Sequence, residues 1–281
     1  MVGITNKTLI AEIRRQQQLS QDIVAGQTAV STGKTLTKPS DNALAWVQVS
    51  ELGKAQSQRE AWRTNVSYGT TRAGNAEANL EEMTSLLTRT QELLTRARNG
   101  SLNDTGKAAI AEEMKTIRTS ISSLLNQKDY QGVPVFDDAQ SVLVPVSRGL
   151  NLPVVGTRQD VSENIDVNGT PMSIDDMLAQ GIAAAQTGND ADLAAALDTL
   201  AAGQHHIVIE QAKQGVRSDR LSAVGDRLTS IDLDLTERRQ GLESADLEQV
   251  ISSVKAKLLQ LEASQSVFAR INQQTLFDLI R

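Results

Sequence analysis

The chain has no cysteine, and only 2% of its 281 residues are aromatic. The absence of cysteine excludes disulfides and thiolate metal sites. The scarcity of aromatic residues argues against a globular enzyme, because Phe, Tyr and Trp usually anchor an enzyme's core and substrate pocket. We therefore expect slender helix pairs whose contacts are made by Ala, Leu, Ile and Val.

Long hydrophobic runs and an excess of positive charge are also missing. No apolar run approaches the roughly 20 residues of a membrane span, and residues 1–18 lack the apolar core of a cleavable secretion signal. The net charge of −6 argues against a protein that mainly binds nucleic acid or anionic membranes. We expect no nucleic-acid partner, no membrane insertion and, if the protein is exported, a route that reads an uncleaved N-terminus.

Catalytic signatures are weak. The run from Ser31 to Thr35 resembles the tail of a phosphate-binding loop, but Thr28 stands where that motif needs glycine. His205 and His206 are the only histidines, and adjacent helical residues point about 100° apart, which disfavours a shared metal. We predict that the protein is not an enzyme and that it binds no cofactor or metal.

A seven-residue apolar repeat is the clearest pattern in the chain. Its positions are mostly apolar or small and are separated by alternating steps of four and three: Trp62, Val66, Gly69, Ala73, Ala76, Leu80, Met83, Leu87, Thr90, Leu94 and Ala97. Such a seam indicates a long helix with one narrow buried face. Three further segments share the spacing, so we predict a mainly α fold of long antiparallel coiled-coil helices, with a small β-rich excursion at one end.

Local signals predict where the elements begin and end. Gly33 is typical of a left-handed helix stop, and Ser40 or Asp41 is expected to cap a helix over about 42–98. The next helix should end near Lys128. Four of the five prolines follow between 130 and 172, together with short strands and a hairpin over 165–170 that turns at Asn-Gly. Ser173 with Asp176 has the spacing of a helix cap.

The two ends carry more apolar residues than one thin partner helix could cover. We hypothesise that both ends are largely disordered in the isolated chain and become helical among the ends of other subunits. The alternative is a self-sufficient four-helix bundle that includes both ends. The residues predicted to form the assembly interface are Ile10, Ile13, Ile23, Val24, Val30, Leu247, Val250, Ile251, Val254, Leu258, Leu261, Phe268, Ile271 and Leu276.

Several short motifs resemble the flagellin family. They are Ser-Thr-Gly-Lys at 31–34, Pro-Ser-Asp-Asn-Ala at 39–43, Asn-Gly-Ser-Leu at 99–102 and Glu-Ser-Ala-Asp-Leu at 243–247. The resemblance implies four segments, which are an N-terminal inner helix (1–38), a helical rod domain (39–138 and 189–243), an outer β-rich excursion (139–188) and a C-terminal inner helix (244–281). Both inner helices would be disordered in the monomer.

The resemblance also implies a location and partners. The protein would be extracellular, in the bacterial flagellum, and exported unfolded through the flagellum's own secretion channel without a cleaved signal peptide. Its partners would be copies of itself and other flagellar axial proteins (hook-associated protein 1 and flagellin). An export chaperone would hold the C-terminal segment beforehand.

Two kinds of family member fit different motifs. The runs 13–17 and 275–279 resemble members that join hook to filament, whereas the run from Tyr130 to Phe136 is closer to flagellin. We expect the junction role, with the filament subunit as the alternative. A third reading is a secreted module that binds a polysaccharide on the β-rich excursion, where Tyr130 and Phe136 are the nearby aromatics.

Overall fold

The computed structural model describes residues 2–99 and 102–279, with side chains described from 10 to 270 outside that gap. The helices and strands of the described residues follow in this order: α1 (Val2–Thr32), α2 (Ala43–Arg98), α3 (Asp104–Leu125), β1 (Leu143–Ser147), β2 (Leu150–Pro153), α4 (Arg158–Ser162), β3 (Ile165–Val167), β4 (Thr170–Met172), α5 (Ile174–Thr187), α6 (Asp190–Glu243) and α7 (Leu247–Leu279). The predicted mainly α fold with a small β-rich excursion is confirmed.

The chain forms two compact units. One contains residues 1–56 and 232–281, and the other contains residues 57–231. Helices α2 and α6 each contribute one part to each unit. The four segments expected from the sequence are a finer division, which stays a prediction.

The core of the 57–231 unit is built on the seam of α2. Its positions from Val66 to Ala97 are all buried, and Trp62 is half-buried. Leu80 and Leu87 are almost completely enclosed, and full burial of such a side chain stabilises the fold by roughly 1.5–3 kcal/mol. Thr90 is tolerated in the seam because its hydroxyl donates to the carbonyl of Leu86 at 2.9 Å.

Two long helices run antiparallel to α2 in this unit. Polar contacts fix the order, because their residue numbers rise on one helix and fall on the other: Asn79 with Leu124 and Arg89 with Glu113 for α3, then Thr88 with Gln204 and Arg98 with Asp190 for α6. The predicted antiparallel arrangement of the first two rod helices is therefore confirmed.

The β-rich excursion consists of two antiparallel hairpins. Strand β1 pairs with β2, and β3 pairs with β4. The second hairpin turns at Asn168 and Gly169, whose φ angles of 53° and 82° suit a tight two-residue turn, as predicted. Helix α5 then begins at the predicted cap, where the Ser173 hydroxyl accepts from the Asp176 N–H at 3.1 Å.

A buried ion pair ties the loop after α3 to α2. Arg72 and Asp137 are both at least 95% buried, and Nη2 of Arg72 lies 2.6 Å from Oδ1 of Asp137. Arg72 also donates to the carbonyl of Pro134 at 2.9 Å, and Asp137 accepts the N–H of Val142 at 2.6 Å. Because both charged groups have partners, the fold avoids the large free-energy penalty of an unpaired buried charge.

Two helix boundaries differ from those expected. Helix α2 is capped by Asn42, whose side chain accepts the Ala45 N–H at 3.1 Å, whereas Asp41 accepts the N–H groups of Thr37 and Lys38 and so shapes the preceding loop. Helix α3 ends at Leu125 rather than near residue 128. The chain after it is already diverted into a bridge between residues 128 and 134.

Candidate assembly interface

Helices α1 and α7 pack antiparallel through one face of each helix. Asp22 and Lys257 form an ion pair at 2.9 Å, and the α-carbon of Gly26 lies so close to α7 that an added β-carbon would clash with the side chain of Val254. The less exposed positions follow the seven-residue repeat on both helices: Gln16, Leu19, Ile23, Gly26 and Ala29 on α1, and Val250, Val254, Lys257, Leu261, Ser264 and Phe268 on α7. We call these positions the pairing faces.

A second set of apolar side chains on both helices stays exposed. It comprises Ile10, Ile13, Val24 and Val30 on α1, and Leu247, Ile251, Leu258, Leu259 and Val267 on α7. Several of these directly follow a pairing position in sequence, as Val24 follows Ile23 and Ile251 follows Val250, so they lie about 100° farther round the helix. We call this set the open faces. Because exposed apolar patches are typical of interaction sites, we expect these residues to contact other chains.

The predicted interface residues divide between the two faces. Seven lie on the open faces: Ile10, Ile13, Val24, Val30, Leu247, Ile251 and Leu258. Five lie on the pairing faces: Ile23, Val250, Val254, Leu261 and Phe268. Ile271 and Leu276 fall outside the residues whose side chains are described. The role of the set in assembly stays a prediction.

Sequence reasoning left out two open-face residues. Leu259 and Val267 are 68% and 55% exposed, and neither belongs to the single apolar seam that the sequence predicts for α7. Leu259 follows the seam residue Leu258 and Val267 precedes the seam residue Phe268, so each lies about 100° round the helix from its neighbour. Such adjacent apolar pairs indicate a helix that is apolar on more than one side.

Backbone hydrogen bonds connect the residues that follow α1 with the residues that precede α7. Helix α1 stops at Gly33, whose φ is +70°, as predicted. The carbonyl of Gly33 then accepts the N–H of Ala245 at 2.9 Å, and the N–H of Thr35 donates to the carbonyl of Glu243 at 2.9 Å. We call this bridge, residues 33–35 with 243–245, the clasp. Because of it, α1 and α7 leave the clasp side by side.

The side chain of Glu243 completes the clasp. Its carboxylate is 10% exposed and lies 2.6 Å from Nζ of Lys34 and 2.9 Å from Nε of Arg239. Burial acts to raise the pKa of Glu243, but the hydrogen bonds from Lys34 and Arg239 outweigh it and hold this pKa below its ordinary value. Arg239 also donates to the side-chain carbonyl of Gln56 at 3.3 Å, which links the clasp to α2.

Within the described ranges no cluster of three or more His, Asp or Glu residues is placed to hold a metal ion, and no helix there is long and apolar enough to cross a bilayer. His206 Nε2 donates to the Asp160 carbonyl at 2.8 Å. The arrangement is that of a helical binding protein whose terminal helices present uncovered apolar faces.

Comparison with known proteins finds that the chain is similar to flagellar proteins. Residues 5–141 match the bacterial flagellin N-terminal helical region. The chain is 26% identical to flagellar hook-associated protein 3 of Salmonella typhimurium, over 90% of this chain and 91% of that protein. The crystal structure of flagellar hook-associated protein 3 from Legionella pneumophila is similar in fold, with a TM-score of 0.60 and 12% identity, over 69% of this chain and 98% of that one.

The chain therefore resembles the flagellin family in its N-terminal half, and along most of its length it resembles flagellar hook-associated protein 3. By comparison, the similarity to B-type flagellin of Pseudomonas aeruginosa, at 26% identity, covers only 48% of this chain and 28% of that protein. The expected resemblance is thereby confirmed.

Proposed function

We propose that this chain is a structural component of the bacterial flagellum that joins hook to filament. The observation that carries the proposal is the pair of terminal helices, each with one apolar face covered by its partner and another left open. A tubular assembly requires such helices, because each must contact its own partner and a neighbouring subunit at once. The similarity to hook-associated protein 3 along 90% of the chain supports the same role.

In this proposal the terminal helices gain their stability from assembly. In the single chain, α1 and α7 cover only one face of each other. Much of their apolar surface therefore stays in water and adds no burial free energy to offset the conformational entropy that two long segments lose on folding. We infer that both ends are largely disordered in the isolated protein and fold as the open faces become covered.

The proposal extends to partners and export. The open faces would pack against copies of this chain and against the adjoining axial proteins, hook-associated protein 1 and flagellin. The chain would reach the outside through the flagellar secretion channel, unfolded and without a cleaved signal. An export chaperone would cover the C-terminal segment, whose exposed apolar residues need shielding before assembly. Nothing in this role requires an enzymatic activity.

Deletion of the gene tests the role directly. We expect intact hooks and filament subunits shed into the medium. Cells that keep hooks and filaments would contradict the proposal. Purified protein that polymerises alone into long filaments would instead favour the filament subunit, which the flagellin-like run from Tyr130 to Phe136 keeps as the second candidate.

Complementation of the deletion strain with variants distinguishes the loss of an open-face contact from the general effect of changing an exposed residue. Ile251→Asn places a polar amide on the open face of α7, and we expect it to fail in restoring filaments. Leu143→Asn makes the same change at an exposed position of β1 and should restore them. Equal rescue by both variants would show that the open face of α7 is not an assembly contact.

A further inference from the structure

A groove in the 57–231 unit lies outside the terminal helices on which the proposed assembly depends. It lies between α2 and the turn that follows α3, has a volume of about 540 Å³, and contains both tyrosines of the chain, Tyr68 and Tyr130. This volume is within the range of small-ligand sites in proteins. In a protein with so few aromatic residues, the meeting of both tyrosines in one groove calls for a functional explanation.

The fold holds Tyr130 out of its core. The residue is 91% exposed, and the turn that carries it is fixed by Asp129. Oδ1 of Asp129 accepts the N–H groups of Gln131 and Val133 at 2.8 and 2.9 Å, and the Asp129 N–H donates to the Val133 carbonyl at 2.8 Å. An aromatic ring presented on an ordered turn is prepared for a ligand, since little entropy is lost when it binds.

Phe136 has a different role from its neighbour Tyr130. It is 1% exposed and belongs to the core, so of the two aromatic residues near the excursion only Tyr130 is available to a surface ligand. Tyr68, one helical turn from Thr64 on α2, is the second aromatic residue that lines the groove.

The charges of the groove are nearly balanced. Glu60 and Arg63 form an exposed ion pair, the charge of Arg72 is neutralised by Asp137, and the Asp129 carboxylate is engaged in its own turn. Among the described residues that line the groove, no cation is therefore left over for a phosphate or a carboxylate. A neutral ligand suits this balance better than an anion.

The remaining lining identifies the ligand class. The groove is also lined by short hydroxyl side chains of α2 and by the amides of Asn75 and Gln131, of which the Gln131 amide donates to the Tyr130 hydroxyl at 2.9 Å. The hydroxyls of Thr64 and Thr71 donate to carbonyls of their own helix, but their oxygens can still accept from a ligand, and an amide both donates and accepts. The rings offer flat apolar faces. The described lining has no aliphatic socket for the apolar anchors of a peptide. We propose that this groove binds a neutral saccharide, with one sugar ring stacked on Tyr130.

The two tyrosines allow a direct test. The 281-residue chain labelled with 3-fluorotyrosine should give two ¹⁹F signals, one per residue. We expect cellohexaose or maltohexaose, at millimolar concentration, to shift both signals saturably. Tyr130→Ala should weaken binding about tenfold or more, read on the remaining Tyr68 signal. Val142→Ala, an exposed apolar change on the segment before β1, should bind as the unchanged chain does.

Three outcomes would overturn the proposal. They are the absence of a shift with either sugar, equal binding by the Tyr130→Ala variant, and a shift produced only by an apolar peptide. The last would assign the groove to a protein partner. Because the experiment uses the isolated chain, its result is independent of the role at the hook–filament junction.

Discussion

At the residue scale, the ion pair of Arg72 and Asp137 holds the loop after α3 against α2. Arg72→Ala would leave the Asp137 carboxylate buried and unpaired, and we expect the 57–231 unit to lose about 3–5 kcal/mol of stability to urea. Arg63→Ala removes a guanidinium of the same helix whose partner Glu60 is exposed, and should change stability by less than about 0.5 kcal/mol. Similar losses of stability for both variants would mean that burial does not determine how much the Arg72–Asp137 pair stabilises the unit.

Glu243 makes the clasp sensitive to pH. Its pKa is lowered in the folded joint, so its contribution is present above the ordinary pKa of a glutamate and is lost as the pH falls through the lowered value. We expect release of the chain from isolated hook–filament complexes to increase as the pH drops through this acidic window.

A glutamine variant checks the assignment. Glu243→Gln should be released more readily at neutral pH and should show a flatter pH profile, because it cannot ionise. Glu248→Gln, at an exposed position in the first turn of α7, should follow the unchanged chain. An unchanged profile for Glu243→Gln would show that another group controls release.

These two residues could not be found from sequence. Arg72 precedes a seam position of α2 and reads as a solvent-facing charge, and its partner is 65 residues away. Glu243 meets Lys34 across more than 200 residues. No local pattern encodes a pairing of this kind, since only the folded chain brings the partners together.

At the element scale, turns and caps follow from short signals. Gly169 has a φ of +82° and its added β-carbon would meet nothing within 4 Å. Gly169→Ala should therefore cost about 1–2 kcal/mol by backbone conformation alone. Gly215, within α6, is equally open but not left-handed, so Gly215→Ala should stabilise by about 0.5–1 kcal/mol.

Thermal unfolding of the two glycine variants distinguishes their effects. The transition of the Gly169→Ala chain should move to lower temperature and that of the Gly215→Ala chain to higher temperature. Shifts in the same direction would mean that space around the glycine, rather than its φ, decides the effect.

The start of α2 and the end of α3 were predicted less well than the turns. Ser40, Asp41 and Asn42 are all good caps, and only the loop hydrogen bonds accepted by Asp41 leave Asn42 to cap the helix. Helix α3 stops early because a bridge between residues 128 and 134 competes for the chain. Both outcomes depend on contacts beyond the local sequence.

At the scale of the whole molecule, the seven-residue repeat was enough to predict long antiparallel helices. The buried positions of α2 agree with its seam from Val66 to Ala97. The repeat also showed that the ends carry excess apolar residues, but not that these divide into pairing and open faces. That division depends on how α1 and α7 face each other, which one helix's pattern does not specify.

Hydrogen exchange on the two ends tests the central claim that their order comes from assembly. In the isolated chain at low concentration, we predict fast exchange of backbone amides across 10–30 and 247–270, beside a protected 57–231 unit. In hook–filament complexes the same segments should become strongly protected. Strong protection of both ends in the dilute isolated chain would contradict the account, because it would show that α1 and α7 are stable without other subunits.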